Sequence, residues 1–243
     1  MITVTPWIKA AVGLVYPRNC QFCETPLDEA ERGVICGVCL GRVKFIAPPR
    51  CEKCSLPFMG AISDTFQCGY CRDKKFAFDR TVCACRNEEL VLDCVHRLKY
   101  GRQMYFAQHL TDWLVGATRR QIDWPMVDVI VPVPLHPRKK RHRGFNQAEV
   151  LAEALGEAFG VRVDRRGLRR VKDTVTQTAL DATARAHNLR DAFVASGVAA
   201  FAGKRVVLVD DVFTTGATLD ACAKVLRVAG AERITVAAVA RGV

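Results

Sequence analysis

The sequence has no apolar run long enough to cross a membrane, which takes about 20 consecutive residues. Its first twenty residues include a short apolar stretch, but they lack the basic region and the small-residue cleavage site of a secretory signal peptide. Both absences argue against insertion or secretion. We therefore expect a cytoplasmic protein in which residues 1–17 form a leading helix that docks on the rest of the chain.

Residues 18–72 are poor in large apolar side chains, so this stretch has little material for a hydrophobic core. It instead contains four Cys-x2-Cys pairs in two sets, whose spacing is that of a duplicated zinc ribbon. A disulfide framework is the alternative, and a reducing compartment argues against it. We predict two structural zinc ions, each held by four thiolates with no position open for a reacting water. The predicted ligands are Cys20, Cys23, Cys36 and Cys39 for one ion and Cys51, Cys54, Cys68 and Cys71 for the other.

The remaining four cysteines do not have ligand spacing. Cys83 and Cys85 are predicted in a strand or turn, and Cys94 and Cys222 lie on apolar helix faces typical of core positions. Because metal would hold the ribbons together, we expect them to have cores separate from that of residues 73–243.

Acidic residues are outnumbered, with 25 Asp and Glu against 36 Lys and Arg and a formal net charge of +11. Eight thiolates would remove eight charges and two zinc ions would return four, which leaves about +7. This excess of positive charge favours an anionic partner but does not identify one.

Beyond the ribbons, buried strands alternate with amphipathic helices. Apolar runs predict strands at 127–133, 206–209 and 234–239, and helical periodicity predicts helices at 88–99, 104–117, 146–159 and 217–229. This alternation predicts an α/β fold with a mostly parallel, layered sheet in residues 73–243.

The segment VVLVDDVFTTGAT at 206–218 carries the strongest signal for chemistry. Its apolar run predicts a strand buried on both faces, and Asp210 and Asp211 follow at the strand's carboxyl end, where open α/β sheets bind ligands. A hydroxyl-rich turn then opens a helix, a place where backbone N–H groups bind phosphate. Two carboxylates beside that turn suit a ribose diol or a hydrated magnesium ion. The turn consists of Thr214, Thr215, Gly216, Ala217 and Thr218.

A basic stretch follows the strand at 127–133. Six consecutive basic residues at 138–143 predict an anion-facing loop, and Asn146 begins the next helix with Glu149 placed for a capping box. A solvated basic turn is the alternative. The residues predicted to bind an anion here are Arg141, Arg143, Gly144, Asn146 and Gln147.

The segment at 206–218 resembles the phosphoribosyl pyrophosphate motif of type I phosphoribosyltransferases. With the cysteine pairs, HRLKYGR at 96–102, VPVPLHPRKKRHRGFNQAE at 131–149 and DTVTQT at 173–178, nearly the whole chain resembles the ComF family. That resemblance implies a double zinc ribbon before a phosphoribosyltransferase-like domain. It also implies phosphoribosyl pyrophosphate with magnesium as ligand, and a role in natural competence.

The resemblance also implies roles for single residues. Asp210 and Asp211 would hold the ribose hydroxyls or magnesium at the catalytic centre, and the turn at 214–218 would hold the 5′-phosphate. A polar stretch from Arg170 onward corresponds to the mobile loop that closes over pyrophosphate in such enzymes, with Thr176, Gln177 and Arg185 as contacts. A plain surface loop is the alternative.

Three functions remain open at this stage. The first is a phosphoribosyltransferase acting on an unidentified acceptor, since no acceptor-recognition segment is visible in the sequence. The second is a single-stranded DNA-binding module that uses the cations at 138–143 and 162–172, with Phe76, Phe78 and Phe145 stacking on bases. The third is a scaffold that docks a competence protein such as a helicase through the ribbons.

Overall fold

The computed structural model of the chain describes residues 18–28, 31, 33–58, 60, 66–172 and 191–242. The predicted leading helix at 1–17 and the predicted loop contacts Thr176, Gln177 and Arg185 lie outside these residues. No helix in the described ranges is both long and apolar enough to span a bilayer.

The described residues form six strands: β1 (Arg80–Arg86), β2 (Val129–Pro132), β3 (Leu168–Arg170), β4 (Phe193–Ala195), β5 (Arg205–Phe213) and β6 (Arg233–Arg241). Four of them are parallel and form the main sheet, in the spatial order β1-β6-β5-β2. An antiparallel pair, β3 with β4, lies apart from it. The central strands are almost entirely buried, as expected for a parallel sheet covered on both faces.

The longer helices cover the sheet and the two shortest lie in the ribbons. The amphipathic faces of four of them bury the predicted apolar residues, including Leu98, Leu110, Leu155 and Leu226. The helices are α1 (Gly37–Leu40), α2 (Gly69–Asp73), α3 (Glu89–Gly101), α4 (Phe106–Arg119), α5 (Pro137–Arg143), α6 (Gln147–Phe159) and α7 (Ala217–Val228). A 3-10 turn covers Trp124–Met126.

Two local predictions were wrong. Strand β5 does not end at Val209 but continues to Phe213, because its ladder with β6 extends to the pair Phe213–Arg241 and carries the acid pair inside the strand. The predicted loop at 138–143 is instead helix α5. Pro137 occupies its first turn and the His136 side chain accepts a hydrogen bond from Arg138 N, both favourable at a helix start.

Asn146 caps helix α6 as predicted, accepting from Ala148 N at 3.2 Å. Its amide also donates to Val133 O at 3.0 Å, which fixes the helix start against the end of β2. Glu149 does not complete the predicted capping box, because both of its carboxylate oxygens accept from Lys140 Nζ at 2.7 Å.

The expectation of separate cores was wrong. The ribbon backbone pairs with edge strand β1, with Ile46 N donating to Ala84 O at 2.8 Å and Thr81 N donating to Glu52 O at 3.1 Å. Cys51 and Cys54 share one apolar cluster with sheet residues. An edge strand exposes a row of unpaired N–H and C=O groups, and here the ribbons cover it. The boundaries drawn at 17/18 and 72/73 remain predictions.

Candidate functional site

The eight predicted zinc ligands form two compact tetrads. Within each tetrad the four Sγ atoms all lie within 4.8 Å of one another. The Cys23–Cys36 pair is 3.5 Å apart and the Cys54–Cys68 pair 3.7 Å apart. A tetrahedral zinc ion with bonds of about 2.3 Å places its sulfurs about 3.8 Å from one another. The tetrads therefore fit zinc.

The cysteines of each tetrad differ in acidity. Burial raises the pKa of Cys39 and that of Cys71 to about 12. Hydrogen bonding to Thr25 lowers the pKa of Cys23 to about 6, and hydrogen bonding to Cys54 lowers that of Cys51 to about 4. Zinc binds thiolates, so its binding would displace the protons that burial favours on Cys39 and Cys71.

A cleft of about 530 Å³ opens where the carboxyl end of β2 and the acid pair of β5 meet the last turn of α3. Six Lys or Arg side chains line it against two aspartates, so its field suits a polyanion that also carries a cation or hydroxyl groups. The basic lining residues are Lys99, Arg102, Arg138, Lys139, Arg143 and Arg170.

The acid pair lies on the floor of this cleft. Asp211 is 7% exposed, and its Oδ2 lies 2.6 Å from Lys99 Nζ. Burial, followed by repulsion from Asp211, raises the pKa of Asp210 to about 7. Burial alone would lower the pKa of Lys99, but attraction to Asp211 and then Asp210 outweighs it and raises that pKa. Near neutral pH the floor therefore holds one ion pair and one carboxyl poised to release a proton.

The structure brings four of the predicted anion contacts to the lining of the cleft. Arg143, Asn146, Gln147 and Thr218 line it with the acid pair. Gln147 Nε2 is buried and has no hydrogen-bond partner among the described residues, so it is a donor available to a ligand. Arg141 lies on α5 but is exposed and outside the lining. The binding roles of these residues remain predictions.

The turn at 214–218 joins the acid pair to α7. Gly216 has φ +77°, and a Cβ there would lie 2.7 Å from Phe213 Cζ, so both conformation and space require glycine. Thr215 Oγ1 accepts from Ala217 N at 3.4 Å, and Thr214 is exposed. The first N–H groups of a twelve-residue helix thus begin beside the cleft. Gly144, with φ +89°, similarly ends α5.

Sequence reasoning missed the contribution of α3. Lys99 and Tyr100 line the cleft from its last turn, and Arg102 lines it from the position directly after the helix. These residues belong to the motif HRLKYGR, but nothing in the sequence indicated a binding role for them. Tyr100 is 61% exposed, and the Arg143 guanidinium lies 5.5 Å from its ring centroid. By contrast, Phe78 is fully buried, so the prediction that its ring stacks on a base is wrong.

Comparisons with known protein families match this architecture. Residues 11–73 match the Double zinc ribbon domain family and residues 107–242 match the Phosphoribosyl transferase domain family. The second match covers more than half of the chain and includes the acid pair, the turn at 214–218 and the basic helix α5.

Curated relatives share both parts. The DNA utilization protein YhgH of Salmonella typhi is 34% identical over 226 residues, which is 92% of this chain and 96% of the relative. Competence protein F of Haemophilus influenzae is 32% identical over 232 residues, with the same shares of the two chains. Competence protein ComFC of Streptococcus pneumoniae is 34% identical over 104 residues, 43% of this chain and 44% of that protein. The chain therefore belongs to the ComF family, in which a double zinc ribbon precedes a type I phosphoribosyltransferase-like domain.

Proposed function

We propose that the protein binds phosphoribosyl pyrophosphate with magnesium in the cleft. The observation that carries this proposal is the acid pair, buried Asp211 and partly buried Asp210, which lines the same cleft as six basic side chains. Carboxylates suit magnesium or a ribose diol, whereas guanidinium and ammonium groups suit pyrophosphate. The turn at 214–218 would hold the 5′-phosphate at the start of α7.

The same residues could support transfer of the phosphoribosyl group. Departure of pyrophosphate from C1 leaves an oxocarbenium-like ribose, and the barrier falls when the leaving charge is stabilised. Arg138, Lys139 and Arg143 line the cleft and would stabilise that charge. Magnesium held by Asp210 or Asp211 would neutralise further charge on the leaving group. Gln147 Nε2 would contribute a neutral donor.

Calorimetry tests the binding proposal. We expect phosphoribosyl pyrophosphate to bind the wild type only when magnesium is present. Asp210→Asn with Asp211→Asn should weaken binding at least tenfold, because each loses an interaction with a charged group. Glu157→Gln, an exposed acid on α6, is the matched control and should bind as the wild type does. Equal affinities for the double variant and the wild type would reject the site.

A true phosphoribosyltransferase with no DNA role is the alternative. Exposed Tyr100 at the cleft offers a face to an aromatic acceptor. Release of pyrophosphate that depends on an added acceptor, in protein that binds no DNA, would favour this alternative.

We further propose that the protein works in the cytoplasm in the uptake and handling of single-stranded DNA, with competence proteins such as a helicase as partners. Two relatives named for DNA utilization and competence support this role. So does a basic surface at 162–172, where Arg162, Arg165, Arg166, Arg169 and Lys172 are exposed. Arg170 of the same segment lines the cleft. This surface therefore adjoins the proposed ligand site.

A further inference from the structure

Helix α2 of the second ribbon contacts the turn at 214–218. Tyr70 lies between the ligands Cys68 and Cys71, and its hydroxyl donates a hydrogen bond to Thr215 O at 3.0 Å. The same hydroxyl accepts from Lys74 Nζ at 2.6 Å. The ammonium group polarises the hydroxyl and strengthens its donation, so a cation assists this link.

A buried arginine makes a second link from the other side. Arg241, at the end of β6, is 7% exposed. Its Nε donates to the backbone oxygen of Cys54 at 2.8 Å, and another guanidinium nitrogen donates to Thr214 O at 3.0 Å. The guanidinium also lies 4.9 Å from the ring centroid of Phe213. One side chain therefore joins a predicted zinc ligand to the first residue of the turn.

The connector after α2 makes the third link. Phe76 Cε1 would lie 3.1 Å from a Cβ on Gly216, so its ring packs directly against the turn. Ala77 N donates to Asp220 Oδ1 at 2.7 Å, in the first turn of α7. Helix α2, Arg241 and the connector thus contact the turn at the carbonyl oxygens of Thr214 and Thr215, at Gly216 and at the start of α7.

We propose that Tyr70 and Arg241 are positioning residues through which the second cysteine tetrad holds the turn at 214–218 in its phosphate-binding form. They bond carbonyl oxygens of the turn and occupy none of its N–H groups. This inference rests on the proposed function, because it assigns the turn a phosphate. It makes the second ribbon part of the ligand site.

The first ribbon has different neighbours. Its Phe22 packs edge-on against Phe106 with centroids 5.9 Å apart, and Val34 N donates to His109 Nε2 at 3.1 Å. Both contacts are with α4, on another part of the molecule from the turn. The two tetrads have similar ligand spacing, but among the residues that the structure describes only the second ribbon contacts the turn at 214–218.

Tyr70→Phe tests the assignment, because it removes one hydroxyl and keeps the ring. The matched control is Tyr105→Phe, since Tyr105 is 42% exposed where Tyr70 is 39% exposed. Ribose 5-phosphate and magnesium pyrophosphate would each compete with labelled phosphoribosyl pyrophosphate. We expect Tyr70→Phe to weaken the binding of ribose 5-phosphate about threefold to tenfold, as for the loss of one hydrogen bond. The binding of magnesium pyrophosphate should be unchanged. Zinc content and melting temperature should match the wild type.

Amide hydrogen exchange supplies a readout that needs no ligand. The amides of 214–218 should exchange faster in Tyr70→Phe and at the wild-type rate in Tyr105→Phe, with Lys74→Met showing a smaller increase. Unchanged amide exchange together with unchanged ribose 5-phosphate affinity in Tyr70→Phe would overturn the assignment. Equal losses of affinity for ribose 5-phosphate and for magnesium pyrophosphate would also overturn it. A wild type that binds no phosphoribosyl pyrophosphate would instead reject the proposed function. Faster exchange would then show a positioning link without the phosphate role.

Discussion

Lys99 Nζ lies 2.6 Å from Asp211 Oδ2, where the last turn of α3 meets strand β5 on the floor of the cleft. Neither side chain is more than 21% exposed, so the pair is largely removed from water. Lys99 therefore neutralises half of an acid pair that would otherwise be costly to bury. It also holds α3, and with it Tyr100, against the proposed ligand site.

Removing that cation should destabilise the protein. Lys99→Met keeps most of the side-chain volume but leaves Asp211 buried without its partner, which costs about 2–4 kcal/mol of unfolding free energy at pH 8. The loss should shrink toward pH 5, where Asp210 carries a proton and no longer adds to the negative charge around Asp211. Asp211→Asn in the same background should restore part of the loss. Chemical denaturation measures all three effects.

Lys224→Met is the control for this series. Lys224 Nζ lies 2.8 Å from Asp220, but the lysine side chain is 65% exposed. Such surface pairs contribute under about 1 kcal/mol. A Lys99→Met variant no less stable than Lys224→Met would contradict the buried-pair account.

Asp210 should make stability fall as pH rises. Its pKa is raised to about 7 in the folded protein, whereas an unfolded aspartate titrates near 3.9. Between these values the native state holds a proton that the unfolded state has lost, so the unfolding free energy declines with pH. Asp210→Asn should therefore stabilise the protein relative to the wild type by about 1–3 kcal/mol more at pH 8 than at pH 5.5. A pH-independent difference between the two proteins would refute the raised pKa.

Two zinc ions per chain are expected from metal analysis of purified protein. Cys51→Ser should retain about one ion, because it breaks one tetrad. Since Cys51 and Cys54 share a cluster with the sheet, the whole chain should also melt at a lower temperature. Cys94→Ala, which changes a buried cysteine outside the tetrads, should keep both ions. A Cys51→Ser protein whose sheet melts as in the wild type would restore the separate-core expectation.

Single-stranded DNA should bind the basic surface at 162–172. Replacing Arg165, Arg166 and Arg169 with Gln should reduce the slope of log affinity against log salt by up to about 0.7 for each DNA phosphate that these side chains neutralise. Arg170 is left in place because it lines the cleft. Neutralising Arg42, Arg72 and Arg120 removes the same charge elsewhere on the exposed surface and should leave the slope unchanged. Equal slopes for the two triple variants would relocate the DNA site.

The sequence was sufficient to predict the parts of the fold that local patterns determine. Cys-x2-Cys spacing predicted both tetrads, and the apolar run before Asp210 predicted a buried parallel strand. Helix limits were close where a cap was visible, as at Asn146 and Gly160. These features depend on residues near each other in the chain.

The rest depends on contacts between distant segments. Nothing in the sequence around Lys99 predicts Asp211 as its partner, and nothing around Tyr70 predicts a bond to Thr215. The ribbons were assigned separate cores because composition cannot show that edge strand β1 needs covering. Pairing with β6 likewise extended β5 past the acids that were expected to end it.

The structure of the complex with phosphoribosyl pyrophosphate and magnesium tests the central claim most directly. We expect the 5′-phosphate on the N–H groups of 214–218, the ribose or the magnesium ion at Asp210 and Asp211, and pyrophosphate among the cations of α5. The Tyr70–Thr215 hydrogen bond should persist. A ligand bound elsewhere, or no ligand in the cleft under conditions where calorimetry shows binding, would contradict it.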